Sequence, residues 1–122
     1  MKAIYVHSTR LEPYAEWIVS GAKTLETRNR NTLKSLVGEC VAIVRTSRNK
    51  ATVIGYVWID KATYCNGESF DRYRNRTLIP IGSKYDNKGN GKWFYHLSDA
   101  FRCEPYEVPQ NAVKHGRVWL EW

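Results

Sequence analysis

The chain has 122 residues and a formal net charge of +7, with 43% hydrophobic and 25% charged residues. That is the size of one domain with one core and the composition of an ordinary soluble globular protein. No window reaches the apolar length of a membrane-spanning helix, and the positive charge points to an anionic partner, nucleic acid first and an acidic surface second.

In chain order, residues 3–7 alternate and predict a first strand. Residues 12–20 predict a short helix, with Pro13 at its first position and Tyr14, Trp17 and Ile18 forming an apolar face. Gly21 ends it as a left-handed cap. Extended runs follow at 24–30, 39–45, 52–60 and 92–97, with Gly55 marking a bulge or bend. Residues 68–75 predict a helical turn, and the stretch SKYDNKGNGK a loop. The final run, 117–122, should close the sheet with Val118, Leu120 and Trp122 on one face and Trp119 on the other. Six short strands and an early helix predict an α+β, mainly β domain covering residues 1–122, either a small barrel or an open sandwich.

Cys40, Cys65 and Cys103 are odd in number and far apart, without a Cys/His cluster of ligand spacing. No metal site is therefore expected, and the thiols read as reduced core residues of a cytoplasmic protein. The N-terminus reads as a strand and not as a signal peptide. Phosphate-loop, dinucleotide and nucleophile-elbow fingerprints are absent, so no cofactor is expected.

Gly21–Arg30 is the informative segment (GAKTLETRNR), carrying a lysine, a carboxylate and two arginines just after a helix end. In a strand Thr24, Glu26, Arg28 and Arg30 share one face. Lys23 has the wrong parity and joins them only if it still lies in the turn after Gly21. Burying an unpaired charge costs several kcal/mol, so Glu26 must neutralise Lys23 or an arginine. The functional expectation is a cleft with a positioned carboxylate, Arg28 as a donor fork, and Lys23 as a base of lowered pKa. The plainer alternative is a solvated, self-paired strand surface.

Pro13-Tyr14-Ala15 followed by Gly21-x-Lys23-x-x-Glu26-x-Arg28 resembles the signature of the ASCH domain, P-[WY]-A and then G-x-K-x-x-[ET]-x-R. The glycine before the strand at 39–45, the run Gly55–Ile59, the aromatic strand Trp93–Leu97 and the terminal Gly116-x-x-Trp119 fit the same layout. The resemblance implies a PUA-like β-barrel of about six strands with short flanking helices. It also implies RNA-related roles: binding RNA, cleaving it, or removing an acyl group from a modified cytidine. In the amidohydrolase members the motif reads K-x-x-T-x-R, with the lysine as base and the threonine as nucleophile. Here Glu26 stands at the threonine position, and a carboxylate does not replace a hydroxyl nucleophile without changing the chemistry. Thr24 and Thr27 are neighbours that do not match that position.

The expected ligand-binding set is Lys23, Glu26, Arg28, Arg30, Tyr14, Arg72, Arg74 and Arg76, with Lys23 and Glu26 the catalytic candidates and RNA or a modified nucleoside the partner. Asp60, Glu68 and Asp71 are candidates to complete a catalytic set, although each reads as an ordinary surface carboxylate. Tyr14, Trp17 or Tyr95 at the cleft edge could stack a base. Trp17, Trp58, Trp93 and Trp119 are assigned mainly to the core. Arg72, Arg74 and Arg76, with Lys84, Lys88 and Lys92, form a second basic zone suited to backbone phosphates or to solvation. A protein-interaction module that meets an acidic partner is the third option.

Overall fold

A computed structural model describes all residues from Met1 to Trp122. Seven strands form one sheet: β1 (Lys2–His7), β2 (Leu25–Arg28), β3 (Cys40–Ser47), β4 (Lys50–Cys65), β5 (Lys92–Glu107), β6 (Val113–His115) and β7 (Trp119–Glu121). Two short helices, α1 (Tyr14–Val19) and α2 (Arg74–Thr77), flank it. The strand order is β2-β5-β4-β3-β1-β7-β6, with β1 parallel to β3 and the other ladders antiparallel.

The mainly β, α+β class is the one the chain adopts, as a single seven-stranded sheet that hydrogen bonding does not close into a barrel. No ladder joins β2 to β1; the seam between them is crossed by a side chain, described below. The short strand β6 adds a seventh element that the sequence does not announce. The two long strands β4 and β5 extend well beyond the runs expected, because each pairs with the other along most of its length.

Period-two alternation explains the two sides of the sheet. Ile4 and Val6 of β1 and Val41 and Ile43 of β3 face the main core, which α1 covers with Tyr14, Ala15, Ile18 and Val19. Ala3, Ala42, Val44, Val53 and Leu120 form a smaller cluster on the opposite face. Leu120 and Trp122 share that second cluster, whereas Val118 packs with Trp119 against the main core. The strand begins only at Trp119, after a left-handed Gly116, so alternation does not reach back to Val118.

Two glycines are needed where they stand. Gly21 has φ +83°, ending α1 as expected. Gly55 sits at a register shift, where a Cβ would lie 2.4 Å from the Phe101 carbonyl oxygen and 2.7 Å from Val19 Cγ1. Its missing side chain is what lets α1 lie against β4. The helix begins at Tyr14, and its first turn is capped from a distance: Ala15 N donates to Ser8 Oγ at 2.8 Å, and Ser8 Oγ donates to Glu16 Oε2 at 2.7 Å.

Trp58 departs from its core assignment and is 42% exposed, opposite Ser98 on the outer face of the sheet. The other three tryptophans assigned to the core pack partly buried against it. All three cysteines are free, and only Cys65 is buried. No helix is long and apolar enough to cross a membrane.

Candidate functional site

The open seam between β2 and β1 is a cleft of about 350 Å³. Tyr5, Val6 and His7 of β1 form one wall, and Glu26, Thr27 and Arg28 of β2 the other. Tyr14 of α1, Lys23, and Tyr85 of the loop before β5 line it as well, with Asn29 and Lys92 at one end. Four cationic side chains (Lys23, Arg28, Lys92 and Arg117) share this space with one carboxylate, Glu26.

Lys23 reaches the cleft from the turn after Gly21, the placement its parity required. Its amide donates to the Trp17 carbonyl at 2.9 Å, and Thr24 N donates to the Arg76 carbonyl at 3.0 Å, so the turn is pinned between α1 and α2. The Lys23 side chain is almost wholly buried, with residue exposure of 2%. Nζ donates to the Thr77 carbonyl, lies 3.9 Å from Glu26 Oε1 and sits 5.1 Å from the Tyr14 ring centroid. Burial lowers its pKa to about 8, with Glu26 opposing the shift and Arg28 adding to it. Arg30, expected in the ligand-binding set, is exposed and lies outside the cleft.

Glu26 neutralises both cations of its motif. Oε2 accepts from Arg28 Nη2 at 3.0 Å, and Oε1 accepts from the Thr27 amide at 3.1 Å. Arg28 Nη2 also donates to the Tyr5 carbonyl at 2.8 Å, across the seam. Beyond Ile4, β1 has no β7 residue beside it, and the guanidinium takes up the carbonyl left open there. Arg28 Nε and Nη1 keep no protein acceptor, so donors remain for a ligand.

Tyr14 is a wall of the cleft more than a platform. It is buried, with Lys23 over its ring and Trp17 and Tyr85 edge-on at 5.5 and 5.8 Å. Burial, with Glu12 adding, raises its phenol to about 12. Trp17 lies outside the cleft, and Tyr95 is fully buried, donating to Asn31 Oδ1 at 2.8 Å. The accessible aromatic surface comes instead from half-buried Tyr85 and exposed His7, 6.5 Å apart.

The second basic zone divides. Arg72 is exposed. Arg74 is a structural tie: it donates to Asp71 Oδ1 at 2.8 Å, the Ile79 carbonyl at 2.9 Å and Asp86 Oδ1 at 2.9 Å. Arg76 donates to Thr24 Oγ1 at 3.0 Å. None of the three lines the cleft, and neither do Asp60, Glu68 or Asp71. Lys92 does, as do Asn29, His7, Tyr85 and Arg117, which sequence reasoning did not place there. For Lys92 a signal existed: it has the parity of Phe94, an inward position. No group of three or more His, Cys, Asp or Glu side chains is placed to hold a metal.

Known structures repeat this fold. The ASCH protein of Zymomonas mobilis aligns with 87% of this chain and 73% of its own at 21% identity and a TM-score of 0.70. A tyrosine-to-phenylalanine variant of that protein aligns with 88% of this chain and 77% of its own, at 22% identity and a TM-score of 0.69. A serine-to-alanine variant aligns with 86% and 73%, at 22% identity and a TM-score of 0.68. No protein-family model and no curated protein sequence matches the chain. The chain has the fold of an ASCH domain.

Proposed function

We propose that the cleft between β1 and β2 binds RNA or a nucleoside, taking one base into the seam. The observation that carries this is the pairing of a buried Lys23–Glu26–Arg28 cluster with unused Arg28 donors beside the aromatic surface of Tyr85 and His7. At about 350 Å³ the space is at the small end of ligand pockets, which span roughly 300–1,000 Å³, a size for one nucleoside unit. Donors on Arg28 suit the acceptor edge of a base, and a flat ring suits Tyr85. The test is a titration with short single-stranded RNA at several salt concentrations, comparing wild type with Tyr85→Ala and with Lys23→Ala/Arg28→Ala. Loss of affinity in the variants supports the cleft. Equal binding by all three with a steep salt slope places the RNA on exposed basic residues and rejects it.

A second reading, a small hydrolase acting on RNA or on an acylated cytidine, is favoured by one observation. Lys23, with its pKa near 8, is deprotonated more readily than an ordinary lysine. Glu26 has both oxygens occupied by protein donors, so the proton acceptor in this reading is Lys23. Mass analysis of the RNA and of an N4-acylated cytidine after incubation tests it. Turnover that persists at full rate in Lys23→Ala rejects the mechanism.

A further inference from the structure

Lys92 is the one buried cation of the cleft without an ion-pair partner, with Asp86 and Glu26 acting on it only from beyond contact distance. Its residue exposure is 8%, and Nζ donates to Asn29 Oδ1 at 2.6 Å, a neutral acceptor. No carboxylate lies within ion-pairing distance of it, whereas Lys23 and Arg28 share Glu26. A buried ammonium without an ion-pair partner is costly, and a ligand anion in contact with it would reduce that cost.

The position of Lys92 says where such an anion would sit. Lys92 and Asn29 line both the cleft and a second, adjoining hollow of about 400 Å³ that has no hydrophobic residue in its lining. Lys84 and Lys88 stand on the rim of that hollow, and both are exposed. Its single carboxylate, Asp86, is already spent: Oδ1 accepts from Arg74 and the Asn87 amide, and Oδ2 from the Gly82 amide at 2.7 Å. Those contacts hold the Asp86 carboxyl below its usual range, so it stays ionised with the Arg74 guanidinium as its direct counter-charge. The hollow itself is braced, because Asn87 Nδ2 donates to the Gly67 carbonyl at 3.2 Å and the Asn90 carbonyl at 3.0 Å.

A mixed aromatic and polar cleft thus adjoins a wholly polar, mainly basic hollow through a buried lysine that has no ion-pair partner. From this continuity we propose that the ligand is a phosphorylated nucleotide, whose phosphate binds Lys92 beside Lys84 and Lys88 while its base occupies the cleft. The inference rests on the base-binding reading given above and adds the phosphate to it. The same group could come from a free nucleotide or from an RNA chain.

The test measures tryptophan fluorescence during titration with the four ribonucleosides, their 5′-monophosphates and the matching trinucleotides. Wild type should prefer at least one monophosphate over its nucleoside by about tenfold or more, the scale of a charge-assisted contact. Lys92→Met should erase that preference, read as the ratio of monophosphate to nucleoside affinity in the same variant, and its thermal melt reports whether it folds. The exposed double variant Lys84→Ala/Lys88→Ala should reduce the preference severalfold, and because Lys84 Nζ lies 5.3 Å from the Tyr85 ring centroid the preference is again read as a ratio to the nucleoside. Tighter binding of the trinucleotide marks an RNA chain as the source, and equal binding marks a free nucleotide. Nucleoside binding with no gain from the phosphate overturns this proposal alone. Failure of every nucleoside and nucleotide to bind overturns it together with the base-binding reading.

Discussion

Arg28 Nη2 donates to the Tyr5 carbonyl at 2.8 Å, so a single guanidinium links the free edge of β2 to β1 where no backbone ladder does. The same nitrogen holds Glu26 Oε2 at 3.0 Å. Seam and charge cluster are therefore one structure. Arg28→Lys keeps the charge but cannot reproduce a planar, doubly donating nitrogen at that site. Its unfolding free energy should fall by about 1–3 kcal/mol, the scale of hydrogen bonds to charged groups, as measured by urea denaturation. A fall below about 0.5 kcal/mol, the size of a neutral surface change, would mean that the seam is held by packing alone.

Lys23 links stability to pH. Its pKa is about 8 in the folded chain against 10.5 for an ordinary lysine. Between those values the unfolded state binds more protons, so stability rises with pH across that window. The gain is complete above the unfolded pKa and lost as pH falls through the folded one. Relative to Lys23→Met, wild type should gain up to about 3 kcal/mol between pH 7 and 10.5. Subtracting the variant removes the titration of tyrosines and cysteines common to both proteins.

Arg74 and Arg72 stand two residues apart and should behave oppositely. Arg74 ties α2 to Asp71, Ile79 and Asp86 and so positions the loop that carries Tyr85. Arg74→Met should cost about 2–4 kcal/mol, since it also leaves Asp86 without its cation. Arg72→Ala should stay within about 0.5 kcal/mol. Denaturant midpoints of the two variants measure this directly.

Gly55→Ala and Gly21→Ala separate close packing from backbone conformation. At Gly55 the new methyl group meets a backbone carbonyl and α1, and a loss of about 2–4 kcal/mol is expected as β4 and the helix are forced apart. At Gly21 space is open but φ is +83°, and the cost should be about 1–2 kcal/mol. Thermal melts of both variants against wild type decide the order.

Tyr85→Ala should weaken binding of short RNA by about 1–3 kcal/mol, the range for loss of a base–aromatic stack. The ring also packs edge-on against Tyr14 at 5.8 Å and against the main core, so the melting temperature should fall modestly with the fold kept. A full loss of affinity with a collapsed melt would make Tyr85 a packing residue instead.

The motif Lys23, Glu26 and Arg28 was legible because one turn and one short strand hold all three, and strand parity with a turn at Gly21 is local information. Tyr14 was legible for the same reason, one helix away. Lys92, His7, Tyr85 and Arg117 come from four separate segments, and only the open seam brings them to one place. That seam depends on β1 losing β7 beyond Ile4, which follows from the late start of β7. Arg74 looked like a free cation in an Arg-rich run because its acceptors, Ile79 and Asp86, lie in the following loop. Trp58 was assigned to the core on size alone, whereas its parity on β4 puts it outside.

The most direct test of the cleft is a backbone amide chemical-shift map of the labelled protein during titration with a short single-stranded RNA. Binding in the cleft should concentrate the shifts at Tyr5, His7, Thr27, Arg28, Asn29 and Tyr85, on both sides of the seam. Shifts confined to Arg72 and other exposed basic residues, with the seam unmoved, would contradict it.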